Sequence, residues 1–157
     1  MSLSLVRLDD RLIHGQVVVG WGNALEADRI LLIDDHVASV PWERDLYRLG
    51  VPPNMEVEFA SVADAPAALD ETVKSNKRVI VVIADIDTLV RVCRSSEVVR
   101  RVNIGGLHEG EGRRRRLRYV FLSDAESESL RMLESDGVEV TARDVPSAKA
   151  VPLSEFA

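Results

Sequence analysis

Arg78-Val79-Ile80-Val81-Val82-Ile83-Ala84 is an unbroken apolar run of β-branched residues with no polar position inside it. An alternating strand would leave one face for water. This one leaves none, which is how a strand reads when helices cover both faces of a parallel sheet. Arg29-Ile30-Leu31-Leu32-Ile33-Asp34 has the same character. Working outward, further strands are expected near 3–8, 56–60, 99–104, 118–122 and 138–142. Helical patterns lie between them near 15–25, 41–49, 62–75, 86–94 and 124–135. Ser61 with Asp64 and Ser123 with Glu126 have the spacing of helix N-caps, and Gly137 and Gly50 stand where helices should stop. Strands alternating with helices indicate an α/β fold. The expected architecture is one domain over 1–157: an open, mostly parallel sheet of about seven strands with helices on both faces.

Composition narrows the class. The 157 residues are 46% hydrophobic and 29% charged but only 4% aromatic, so aliphatic side chains must fill the core. No apolar run approaches the roughly 20 residues of a membrane span, and no signal-peptide pattern opens the chain. A cytoplasmic location is expected, with membrane association only through partners. The net charge of −6 disfavours a nucleic-acid partner. Cys93 has no second cysteine to pair with and reads as a small hydrophobe in an apolar stretch. His36 and His108 match no metal-ligand spacing, so neither a metal nor another cofactor is expected.

In an open α/β sheet, ligands bind at the carboxyl ends of the strands. Three loops fall there: Asp9–Gln16, Asp34–Val37 and Gly105–Gly112. The first contains Val6-Arg7-Leu8-Asp9-Asp10-Arg11-Leu12-Ile13-His14-Gly15-Gln16-Val17, a histidine where a strand hands over to a helix. Helix N-termini present unpaired N–H groups and a dipole that favour an anion. Neutral imidazole is a nucleophile near neutral pH, and arginine offers fixed donors to phosphate oxygens. The stretch therefore suits a phosphoryl carrier.

This stretch, with Trp21 after it, closely resembles the signature segment of the IIB subunits in the mannose/sorbose family of the bacterial sugar phosphotransferase system. Asp34-Asp35-His36-Val37-Ala38, Asn103-Ile104-Gly105-Gly106 and Gly137-Val138-Glu139-Val140 with Val145-Pro146 extend the likeness over most of the chain. The resemblance implies that His14 accepts a phosphoryl group, through Nδ1, from a phosphohistidine of a IIA protein on another chain. It implies transfer from there to a sugar held by membrane IIC and IID subunits. A homo-oligomer is left open.

Arg11 is then expected to clamp the phosphoryl oxygens. One of Asp9 and Asp10 is expected to orient the imidazole or brace Arg11, with Arg7 pairing to hold the loop. Gly15 should let the backbone approach the phosphate, and Gln16 should donate a hydrogen bond or cap the helix. Asp34 and Asp35 either border the cleft or cap a helix. Asn103, Gly105 and Gly106 read as a tight turn beside the site. Trp21 reads as core. The arginines of Gly112-Arg113-Arg114-Arg115-Arg116 form a solvated face or a docking patch for an acidic partner. Two other functions fit the residues: a regulatory phosphohistidine relay without transport, and a small-molecule binding module in which His14 is a ligand contact.

Overall fold

A computed structural model describes residues 3–157. The apolar run at 78–84 forms β4 (Val79–Ile83), every residue of which has no accessible surface. The main sheet has seven strands in the order β3 (Glu56–Ala60), β2 (Arg29–Ile33), β4, β1 (Leu5–Asp9), β5 (Arg101–Gly106), β8 (Glu139–Ala142) and β9 (Val151–Pro152). All neighbours pair in parallel except the edge strand β9, which is antiparallel to β8.

One face carries α4 (Ala65–Lys74), α5 (Ile86–Ser95) and α6 (Asp124–Ser135). Their Leu69, Leu89, Val92, Leu130 and Leu133 pack on Leu8, Leu31, Val81, Ile104 and Val140. The other face carries a π-helical segment, Gln16–Trp21, continued by α1 (Gly22–Leu25), together with α2 (Asp35–Ser39) and α3 (Pro41–Leu49). Val17, Val18, Trp21 and Val37 pack there on Ile30, Leu32, Ile80 and Val82. That second core includes no residue of β5 or β8. Helices therefore cover both faces of β2, β4 and β1, but only one face of the sheet beyond β1. The alternating sequences of β5 and β8, with Arg101, Asn103, Glu139 and Thr141 on the uncovered side, match that half-wet environment.

Local chemistry accounts for the helix ends. Ser123 Oγ accepts from Glu126 N (3.1 Å) while Ser123 N donates to Glu126 Oε1 (2.9 Å), a reciprocal capping box on α6. Gly137 follows that helix at φ +95°. Ser61 Oγ accepts from Asp64 N (3.2 Å) one turn before α4 begins. The helix expected over 15–25 opens instead as a π-helical turn, a form that concentrates at functional sites. The short helix α2 lies outside the expected helix ranges, and of the two roles expected for Asp34 and Asp35, helix capping is the one Asp34 fills. Asp34 creates α2 by accepting from Val37 N at 3.0 Å.

The arginine run is also more structured than a solvated face. Arg114–Leu117 forms β6, antiparallel to β7 (Val120–Leu122), and Leu107 exchanges backbone bonds with Tyr119 and Phe121. Arg113 makes a two-pronged pair with Glu126 (3.0 and 2.9 Å), and Arg114 and Arg116 both reach Asp124. The strand expected near 118–122 is β7, whose Val120 and Leu122 are buried in the core, whereas β6 is held by charge pairing and shows no apolar alternation, which is why no strand is expected over 114–117.

β1 lies at the turning point of the topology, with β4 on one side and β5 on the other. The chain leaves β1 toward the second face and leaves β5 by way of the β6–β7 ribbon toward α6 on the first. A crevice at the carboxyl ends of β1 and β5 follows from that divergence.

Candidate active site

Asp9, the last residue of β1, organises the crevice. Its carboxylate has no accessible surface and accepts five hydrogen bonds. Oδ1 takes Arg11 N (3.1 Å) and Arg11 Nε (2.9 Å). Oδ2 takes Arg7 Nη2 (3.2 Å), Arg11 Nη2 (2.8 Å) and His14 Nε2 (3.1 Å). Burial alone would raise the carboxyl's pKa, but hydrogen bonds from His14 and Arg11 and the Arg7 charge outweigh it and hold Asp9 well below the usual carboxylate range.

That carboxylate sets the histidine's chemistry. An ionised carboxylate only accepts, so His14 Nε2 carries the proton. Nδ1 is left with its lone pair, which accepts from Gln16 N at 3.3 Å at the start of the helical segment. The imidazole is 19% exposed, so the ring is held at Nε2 without being sealed from solvent. The loop turns back through Leu12, which sits at φ +59° with its side chain buried. A non-glycine residue in the left-handed region stores strain, and strain of this kind gathers at functional loops.

Arg7 is the fully buried prop beneath the loop. Its Nη1 donates to Asn103 Oδ1 (2.7 Å) and to the Arg143 carbonyl (3.0 Å), and its Nη2 donates to the Asp144 carbonyl (2.9 Å) as well as to Asp9. Burial lowers its pKa, against the Asp9 charge. It also stacks 5.1 Å from the Trp21 ring centre, and Trp21 Nε1 donates to the Asp144 carbonyl. Arg11 is the more exposed arginine. Its Nη2 donates to Gln16 Oε1 at 2.7 Å, and the hydrogen bonds to Asp9 raise its pKa.

The expected residues divide clearly. Asp9, Arg11, His14 and Gln16 form one bonded unit, with Gly15 as the residue that starts the helical segment. Asp10 faces the other way and binds the loop after β5, through His108 N (2.8 Å) and His108 Nδ1 (2.7 Å). Asn103, Gly105 and Gly106 do not form a turn: they are the end of β5. Gly105 is required for room, because a Cβ there would lie 2.0 Å from Arg7 Cζ. The Gly106 carbonyl accepts from Asp10 N at 3.0 Å. Gly15 has an ordinary helical φ of −52° and open space at its Cβ position, so sterics do not demand glycine there.

The structure does not bring Asp34 and Asp35 to His14. They follow β2, which β4 separates from β1. Asp34 caps α2, and Asp35 accepts from Val62 N (2.8 Å). The loop Gly105–Gly112, expected at this edge, brings His108, but sequence reasoning missed Arg118, Tyr119 and Asp144 in the far wall of the crevice. A cleft of about 230 Å³ beside Arg11 and Gln16 is completed by His108, Arg118, Tyr119 and Asp144. Arg118 and Asp144 pair across it at 2.6 Å. Among the described residues, no three His, Cys, Asp or Glu side chains are grouped to hold a metal ion.

Residues 3–157 match the family model for the PTS system sorbose subfamily IIB component. The chain belongs to this family of sugar phosphotransferase-system IIB components. It is 30% identical to the sorbose-specific EIIB component of Klebsiella pneumoniae over 96% of this chain and 92% of that one. It is 28% identical to an N-acetylgalactosamine-specific IIB component of Escherichia coli over 97% and 96%. The crystal structure of the IIBSor domain of the Klebsiella pneumoniae sorbose permease superposes with a TM-score of 0.88, covering 99% of this chain and 96% of that one at 29% identity. The mannose-specific EIIAB component of Escherichia coli matches at 26% identity over 92% of this chain but only 45% of that protein. As a IIB component, the chain is a phosphotransferase that carries a phosphoryl group in a sugar phosphotransferase system.

Proposed function

We propose that His14 is the carrier of this IIB component and that its Nδ1 forms the P–N bond. The observation that supports this most is the pair of bonds on the imidazole: Nε2–H to Asp9 at 3.1 Å and Nδ1 accepting from Gln16 N at 3.3 Å. The lone pair of Nδ1 attacks the phosphorus of a phosphohistidine on a IIA donor. The donor's P–N bond breaks and its nitrogen keeps the electron pair. As the new bond forms, the His14 ring becomes positive, and the Asp9 carboxylate stabilises the charge through the Nε2–H. Arg11 stands at the open side of the loop and supplies donors to the phosphoryl oxygens, where transfer gains most from positioning and charge neutralisation. In the second step a sugar hydroxyl attacks the phosphorus, the N–P bond breaks, and the hydroxyl proton is released. The sugar is presented by membrane IIC and IID subunits, which makes this chain a cytoplasmic component that meets the membrane through them. Arg114 and Arg115 lie on an exposed ribbon and offer a docking surface to an acidic donor.

The test is phosphate incorporation from a phosphorylated IIA protein into the wild type and a His14→Ala variant. Acid-labile, base-stable phosphate that is absent from a folded His14→Ala protein is the expected result. Equal incorporation in both would overturn the assignment.

A further inference from the structure

On the uncovered side of the sheet, a groove of about 510 Å³ runs over β1, β5 and β8, away from His14 and Arg11. Its size is that of a small-molecule pocket. Arg100, Arg101 and Arg143 line it with a single carboxylate, Glu139, so it holds a local charge of +2 in a chain of net charge −6. Arg101 is already paired with Glu139 at 3.1 Å. Arg100 is exposed, and while its carbonyl accepts from Glu139 N, its guanidinium has no hydrogen-bond or ion-pair partner among the described residues.

Arg143 is the unusual member. The other half-buried arginines all have acceptors: Arg29 on Glu56, Arg44 on the Ala38 carbonyl, Arg113 on Glu126 and Arg116 on Asp124. Arg143 is equally half-buried, yet its guanidinium stacks 5.0 Å from the Trp21 ring centre and has no hydrogen-bond or ion-pair partner among the described residues. A groove-lining guanidinium without a protein acceptor keeps its terminal N–H groups free for an anionic ligand. Leu3 and Leu5 give the groove an apolar wall, and Thr141 adds a hydroxyl.

We propose that this groove is a second ligand site, for a small phosphorylated organic molecule held by Arg143 and Arg100. A phosphomonoester carries a charge of about −2 at neutral pH, which matches the local excess, and planar guanidinium groups suit its oxygens. The apolar wall takes the carbon skeleton, which a bare ion would leave unused.

The experiment is amide NMR of the full chain titrated with glucose 6-phosphate, with glucose and inorganic phosphate run in parallel. Saturable shifts are expected at 100–103 and 139–143 with glucose 6-phosphate and not with glucose. They should persist in His14→Ala, which removes the carrier imidazole. Arg100→Glu, a solvent-exposed change that leaves the fold intact, should weaken binding about tenfold, and Glu139→Gln should tighten it. Shifts confined to the His14–Arg11 cleft would overturn the proposal. So would the absence of saturable shifts, indifference to Arg100→Glu, or equal affinity for inorganic phosphate, the mark of an adventitious anion contact.

Discussion

Gly105→Ala is the sharpest perturbation of the active-site support. A Cβ at 105 would lie 2.0 Å from Arg7 Cζ, 2.2 Å from Nη2 and 2.4 Å from Nε. Non-bonded carbon atoms rest about 3.5 Å or more apart, so about 1.5 Å must be found. Arg7 cannot yield it quietly. It is fully buried, and four acceptors at 2.7–3.2 Å hold it. Moving the guanidinium by that distance breaks most of those bonds and strips Asp9 of a cation. Moving β5 instead breaks its pairing with β1. Overpacking alone costs about 1–3 kcal/mol. Disrupting a buried ion pair costs about 3–5 kcal/mol. The two descriptions share one displacement and do not add, so we expect a loss of about 4 kcal/mol. That is a large share of the roughly 5–15 kcal/mol of a typical domain. Urea unfolding followed by far-UV circular dichroism measures it, with Gly15→Ala as a control that meets open space and should change stability by under about 1 kcal/mol. A loss below about 1 kcal/mol for Gly105→Ala would refute the view that Arg7 is rigidly held.

Asp9→Asn should fold less stably and lose phosphate uptake by about three to four orders of magnitude, because an amide N–H facing Nε2 reverses the histidine tautomer and places the proton on Nδ1. Rates within tenfold of wild type, in the same assay from a phosphorylated IIA protein, would sink that reasoning. The depressed folded-state pKa of Asp9 makes its contribution to stability complete above the unfolded value of about 3.9 and lost only as pH falls through the lower folded value. A carboxyl carbon NMR titration should therefore find Asp9 still ionised at pH 4; an ordinary midpoint near 4 would contradict the bonding described. Ser123→Ala removes one half of the α6 capping box and should cost about 1 kcal/mol, read as a lower urea midpoint. No change in the midpoint would mean that Arg113 alone anchors Glu126.

The loop proposed to carry the phosphoryl group is legible because its parts are local. Asp9, Arg11, His14 and Gln16 lie within eight consecutive residues, and the strand-to-helix handover brings them together without help from the rest of the chain. The same locality makes the caps at Ser123 and Gly137 readable. Asp34 and Asp35 show the limit of motif position. They do follow a parallel strand, as an active-site carboxylate would, but strand order rather than chain order decides which loops meet.

By itself the sequence determined the interior. Runs such as Val79–Ile83 can only be stable when buried on both faces, which dictates a parallel sheet with helices above and below. It determined the Asp9–Gln16 loop because that loop's bonds are short-range. Tertiary structure alone decided what stands behind that loop. Arg7 meets Asn103 across 96 residues and the Arg143 carbonyl across 136, and Gly105 is small because Arg7 needs its space. It also decided that, among the described residues, no helix packs on the second face over β5 and β8 and the Arg143 guanidinium finds no acceptor. Contacts between distant segments exist only once the strand order is set, and strand order is a property of how the whole chain packs rather than of any stretch within it.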